Sequence, residues 1–211
     1  MSEPVAITEY VVRTIAETAI DNEKYFCDLD SVVGDGDFGY SLARGFEKVL
    51  EQWDEFDRSS VATFLQKVAM VVTSRVGGTS GPIWGTAFLR ASMVARKAET
   101  FDGATVVAML RSAAEGIMAR GGASLGEKTL LDALVPMTDT LERELNDGAP
   151  LGDVLDATAA SAVEAAEATS KLEAKRGRAA YTGERSIGSV DAGATAVGVL
   201  ATAVAKNWPG R

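Results

Sequence analysis

Histidine is absent from the 211-residue chain. Its absence excludes a Ser-His triad, an imidazole general base, a His-ligated zinc site and a phosphohistidine relay within this sequence. A single cysteine, Cys27, excludes an intramolecular disulfide and points to a reducing compartment, the cytoplasm. Its plain reading is a small core residue. No apolar run is long enough to span a bilayer, and the longest, residues 192–205 (AGATAVGVLATAVA), reads as a buried helix. The N-terminal MSEPVAITEY lacks the basic start and apolar block of a signal peptide. Positive charge is in deficit, with 21 Lys and Arg against 30 Asp and Glu and a net charge of −9. That balance argues against nucleic acid or an anionic membrane as the main partner. Chemistry is therefore left to carboxylates, lysines, arginines, hydroxyls and backbone.

What is present is helical periodicity. Apolar residues recur at three and four positions nearly throughout, and no segment sustains the alternation of a strand. Ile7, Val11, Ile15 and Ala19 form the first stripe, and Phe38, Leu42, Phe46, Val49 and Trp53 the second. Further helices are expected near 61–72, 81–98, 106–118, 130–145 (with Pro136 a kink), 151–173 and 192–205. Ser59 and Ser60 are start signals for the third helix, and Pro82 sits in the first turn of the fourth. Eight long helices with short connections predict one all-α domain over residues 1–211, an antiparallel bundle or barrel.

The loops carry the unusual composition. Residues 29–41 read LDSVVGDGDFGYS and place Asp30, Asp35 and Asp37 among Gly34, Gly36 and Gly39. Glycine at that density predicts a loop. Two carboxylates about 5 Å apart repel by about 3 kcal/mol at an effective dielectric near 20. Either water screens them or a cation lies between them. An EF-hand fails in both registers, because neither Gly39 nor Ser41 supplies the required twelfth-position glutamate. The Asp-x4-Asp-x-Asp spacing still suits a hard cation, with a solvated acidic turn as the alternative.

Two further loops, GGTSG at 77–81 and GGASLGEKT at 121–129, precede helix starts, where free N–H groups favour anions. The second is not a Walker A loop, because Glu127 separates Gly126 from Lys128 and no strand precedes it. Residues 171–185 gather Lys171, Lys175, Arg176, Arg178 and Arg185 in an otherwise acidic chain. Alternate loops of an up-and-down bundle fall at one end, so helix counting alone puts all four unusual loops on one rim. An arginine there is a natural partner for a polyphosphate.

With these residues assembled, the sequence resembles the nucleotide-binding subunit of dihydroxyacetone kinases along essentially its whole length. Four segments carry the resemblance: LDSVVGDGDFG, GGTSGPIWGTAFL, GEKTLLDALVPM and GRAAYTGERSIGSVDAGA. The resemblance implies an eight-helix barrel binding ADP or ATP at one rim, with two magnesium ions held by Asp30, Asp35 and Asp37. It implies phosphate and ribose contacts at Phe38, Gly39, Tyr40, Ser41, Thr79 and Ser80, and places Gly121 and Leu130 near the base. Arg178 and the residues Asp191, Ala192 and Gly193 complete the implied site, Arg178 as the catalytic side chain. The chain departs from the family pattern at Phe38 (usually histidine), Ser41 (commonly asparagine), Leu130 (usually methionine) and Ala192 (usually proline).

The implied reaction is in-line phosphoryl transfer to a hydroxyl of a short ketose held, through a histidine, on a separate sugar-binding subunit. A chain without histidine is not that partner. Two modes remain open within the family: resident ADP recharged by a phosphotransferase-system protein, which suits a free-standing chain, or freely exchanging ATP. A homodimer is compatible with either. Competing readings are a kinase subunit for another short ketose, the related domain of fatty-acid kinases, and a non-catalytic helical scaffold that binds metal.

Overall fold

The computed structural model describes residues 3–210. Among them lie nine α-helices and no strand. In order these are α1 (Glu3–Asp21), α2 (Glu23–Asp30), α3 (Phe38–Glu51), α4 (Val61–Arg75), α5 (Ser80–Lys97), α6 (Gly103–Gly121), α7 (Leu131–Asn146), α8 (Leu151–Ala168) and α9 (Ala192–Lys206). The all-α expectation holds. The helix count does not, because α2 lies between the first two expected stripes, mostly in residues 23–28, where the apolar spacing predicts no helix. Asn22 follows the end of α1, and α2 is short with Phe26 its one fully buried side chain, so it leaves no repeating stripe. The seventh expected helix also stops early: α8 ends at Ala168, followed by a 3-10 turn over Thr169–Lys171.

Eight of the nine helices close into a ring. From α3 onward each helix packs on the next, α9 packs back on α1, α1 packs on α3, and α2 lies against α3. The apolar stripes supply the core, with Val12, Ala16, Phe26, Leu42, Phe46, Phe64 and Val72 each at most 1% exposed. Truncating an aromatic such as Phe46 to alanine would cost about 3–5 kcal/mol. At the seam Tyr10 donates to the Val204 carbonyl (3.0 Å) and meets Trp208 edge to face.

Of the expected start signals, Ser60 makes the cap and Pro82 lies in the first turn of α5. Ser60 caps α4 by accepting from the Thr63 N–H (3.1 Å), and the Thr63 hydroxyl in turn accepts from the Ser60 N–H (3.1 Å). Asp102 caps α6 through Thr105 N–H (2.9 Å), and α7 passes through Pro136 as one helix. Away from the glycine-rich loops, ion pairs fasten neighbouring elements: Arg58 to Glu9, and Arg111 to both Asp139 and Glu142 of α7.

Candidate functional site

The site begins where α2 ends. The Asp30 carbonyl accepts from Gly34 N–H (2.6 Å) and its carboxylate from Gly36 N–H (2.9 Å), folding the turn back over the helix end. Gly36 adopts a left-handed φ of 75°, and a β carbon at Gly34 would collide with the Asp30 carboxylate. The turn thereby gathers one carboxylate oxygen each from Asp30, Asp35 and Asp37 within 4.8 Å of one another. The strain of that gathering falls on Asp37. Partial burial and then the Asp35 charge raise its pKa above the ordinary carboxylate value, against the lowering pull of Arg178. Arg178, from the segment between α8 and α9, forms an ion pair with Asp35.

The end of the expected loop is helix. Phe38, Gly39, Tyr40 and Ser41 are the first turn of α3, as the stripe beginning at Phe38 expects, so the loop read over 29–41 stops at Asp37. Gly39 is a packing glycine: a β carbon there would strike the Glu23 carbonyl and the Cys27 backbone of α2. Phe38 packs on Phe26 at a centroid distance of 6.0 Å. Tyr40 is exposed, and its N–H donates to the Cys27 sulfur (3.2 Å), so Cys27 anchors the α2–α3 corner.

The other three glycine-rich segments meet this one at the same end of the ring. A β carbon on Gly77 would lie 2.7 Å from the Ser41 hydroxyl, which places the α4–α5 loop beside the start of α3. A β carbon on Gly121, the last residue of α6, would lie 3.2 Å from Ile83 in the first turn of α5. One on Gly193 of α9 would lie 3.3 Å from the Leu130 side chain, where Leu130 precedes α7. The N-termini of α3, α5, α7 and α9 therefore open on one rim. Thr79 precedes α5 without a side-chain cap bond, leaving its hydroxyl and the first N–H groups of α5 for another partner. Asp191 caps α9 through Ala194 N–H (2.7 Å), with Ala192 and Gly193 in the first turn behind it. Converging helix N-termini carry partial positive charge and favour a polyanion.

Lys128 departs from any phosphate-loop analogy. It is 3% exposed and is the one non-glycine residue with positive φ (61°) among those described. Its ammonium points inward and donates to the carbonyls of Leu172 (3.1 Å), Ser186 (2.5 Å) and Ser189 (2.5 Å). Burial lowers its pKa, opposed by the nearby Asp191 charge. Burial raises Asp191 to about 7, helped by Asp132 and opposed by the Ala194 N–H and Lys128. Next in sequence, Glu127 accepts from Arg176 Nε (2.7 Å) and Nη2 (3.1 Å), and its carbonyl accepts from Lys175 N–H (3.1 Å). The basic segment thus divides. Arg176 and Lys175 are committed to Glu127 and Glu173, while Arg178 alone reaches the aspartates.

The aspartates and Arg178, singled out in the sequence, lie together in the structure. Sequence reasoning missed Lys128, Glu127 and Asp132, the last of which accepts from the N–H groups of Gly126 (2.5 Å) and Thr129 (2.8 Å) and shapes the α6–α7 loop. The one sequence signal for that group is GEKT, which reads as a generic helix-start loop.

The DAK2 domain model matches residues 32–206, from the aspartate turn through α9. The chain belongs to the DAK2 domain family. It is 36% identical over 174 residues to the ADP-binding subunit DhaL of the PEP-dependent dihydroxyacetone kinase of Escherichia coli K12, covering 82% of this chain and 83% of that one. A second DAK2 relative, the ADP-binding subunit DhaL of the PTS-dependent dihydroxyacetone kinase of Lactococcus lactis, is 36% identical over 82% of each chain. Among solved structures, the dihydroxyacetone kinase of C. freundii in its native form superposes with a TM-score of 0.76 at 25% identity, over 95% of this chain. The same kinase in complex with AMP-PNP and Mg2+ gives 0.77 at 24% identity. The chain spans 34% of that longer protein.

Proposed function

We propose that this chain is the nucleotide-binding subunit of a kinase of dihydroxyacetone type, presenting ADP or ATP to a short ketose held on a separate sugar-binding subunit. The observation that carries this reading is the gathering of Asp30, Asp35 and Asp37 on the rim where four helix N-termini open, with Arg178 against Asp35. The names of the E. coli and L. lactis relatives as ADP-binding subunits support it, as does the AMP-PNP and Mg2+ complex of the C. freundii kinase.

Three carboxylate oxygens within 4.8 Å are hard donors of the kind magnesium takes, and a cation among them would offset their mutual repulsion. Bound there, two magnesium ions would neutralise phosphate oxygens of the nucleotide. The chain's own residues position and balance charge. The N–H groups of Phe38 and Gly39 and the hydroxyls of Tyr40, Ser41, Thr79 and Ser80 are donors for phosphate and ribose oxygens, the N–H groups of Tyr40 and Ser41 being used by Cys27 and Asp37. Gly121 and Leu130 flank the base, and Asp191–Gly193 closes the opposite side. Arg178 is two-thirds exposed on its segment and supplies the cation for charge developing on the transferred phosphoryl group. No imidazole is available on this chain, and we assign the acceptor's proton to a base on the sugar subunit.

The same rim carries apolar side chains that face solvent, including Tyr181 at 90% exposure, Ile187 and Val32, a fitting edge for the sugar-binding subunit. The PEP- and PTS-dependent names of the relatives support resident ADP recharged by a phosphotransferase-system protein. No described helix is long and apolar enough to cross a membrane, and a cytoplasmic single-domain subunit fits this scheme.

Native mass spectrometry of the purified protein tests the reading. The expected result is a mass increment of ADP with magnesium. Metal binding with no nucleotide, before or after incubation with ADP, would favour the metal-binding scaffold.

A further inference from the structure

The segment between α8 and α9 carries Arg178, and its neck is tied at one nitrogen. Leu172 lies before the basic run and Ser186 and Ser189 lie after it, yet all three carbonyls accept from the ammonium of Lys128. An ammonium has three N–H donors, so these carbonyls use its full capacity. Around this point Ser186, fully buried, accepts from Ala174 N–H (2.8 Å) and donates to the Gly183 carbonyl (2.6 Å), while Gly188 N–H donates to the Ser170 carbonyl (2.8 Å). Within the closed segment, regular structure is limited to a 3-10 run over Arg178–Ser186 that breaks at Gly183. Arg178 and Tyr181 are exposed, whereas the buried Ala174 and Ser186 lie at the neck, so packing holds the segment at its base and not at Arg178.

We propose that Lys128 is a positioning residue for Arg178: by gathering the neck of residues 172–189 it fixes where the guanidinium stands relative to the aspartate cluster. Two features of Lys128 support an active assignment. Lys128 holds a left-handed backbone conformation that costs a non-glycine residue energy, and that conformation turns its side chain inward across the α6–α7 loop. It also keeps a buried ammonium whose three bonds all go to carbonyls of a single segment, although an apolar residue would fill a purely structural position without desolvating a charge. The inference rests on the reading of Arg178 as the phosphate-facing arginine. Lys128 itself touches neither nucleotide nor metal in this scheme.

The test is a double-mutant cycle in the assembled kinase, with trypsin sensitivity as an activity-free readout. Lys128→Met preserves length and removes the three donors. It should lower kcat by about 10²-fold, the scale of a displaced catalytic group, with a smaller effect on KM for nucleotide. Trypsin should cut faster at Lys175, Arg176, Arg178 or Arg185, while the helical circular dichroism is retained. In an Arg178→Ala background the same substitution should cost less than about twofold, because the group it positions is gone. Ser186→Ala loosens the neck without disturbing the charge and should show the same pattern at smaller amplitude, which keeps the test decisive if Lys128→Met fails to fold. Unchanged trypsin cleavage and kcat in either folded variant would overturn the proposal, as would full additivity with Arg178→Ala. If Arg178→Ala alone leaves kcat intact, the functional reading of Arg178 fails, and the cleavage data still decide whether Lys128 holds the neck.

Discussion

The guanidinium of Arg178 lies against the carboxylate of Asp35, joining the segment before α9 to the turn after α2. The same charge pulls down the Asp37 pKa, so one guanidinium is shared by two neighbouring carboxylates.

Asp35→Asn and Asp37→Asn should each abolish phosphoryl transfer by the assembled kinase while the helical fold persists, because both side chains sit on a turn outside the core. Circular dichroism and activity separate the two effects. Near-normal turnover of Asp35→Asn would remove the magnesium assignment.

The metal-free protein should also reveal the crowding. The pKa of Asp37 is raised in the folded state, so folding binds protons there, and stability declines as pH rises through the range above the ordinary carboxylate value. In EDTA, melting temperature should fall with pH more steeply for the wild type than for Asp37→Asn. Magnesium should flatten the difference. Identical pH profiles in EDTA would show that the cluster is relaxed without a cation.

Nucleotide should stabilise the fold only with magnesium, since polyphosphate and aspartates repel without an intervening cation. At about one hundred times the dissociation constant, a ligand adds about 2.7 kcal/mol. Melts with ADP, with and without EDTA, measure this, and equal shifts in both would count against a metal-bridged site.

Arg178→Ala should cut turnover by about 10²-fold or more, the scale of losing one transition-state electrostatic group. Lys171→Ala should change little, as Lys171 is exposed and lies outside the segment that reaches the aspartates. Similar losses for both would mean that the segment acts through general charge or subunit docking.

The chain by itself, given ATP and magnesium, should not phosphorylate dihydroxyacetone. Adding a sugar-binding subunit should restore activity, and adding a phosphotransferase-system donor would show whether bound ADP is recharged in place. Robust sugar-kinase activity of the isolated chain would refute the two-subunit scheme.

The helices were legible because their apolar spacing is regular, and the aspartates because three charges on a glycine-rich turn are costly without a cation. Other features leave no such trace. Glycine density cannot separate a turn glycine such as Gly36 from a contact glycine such as Gly39, whose role depends on the α2 backbone lying across it. The inward turn of Lys128 depends on carbonyls far along the chain, and a carbonyl has no sequence signature. Arg176 and Arg178 look alike as residues. Their division was set by Glu127, which had been noticed only as the residue that spoils a Walker pattern.

Closure of the ring through α9 against α1 gives the rim a mechanical property. A ligand touching the starts of α3, α5, α7 and α9 spans the circumference and acts as a strap across a hoop whose clasp is the α1–α9 seam. Strap and clasp resist the same opening motion, so each strengthens the other. Loosening the seam at Tyr10, on the far side of the chain's chemistry, would weaken the grip on nucleotide without altering one atom that touches it.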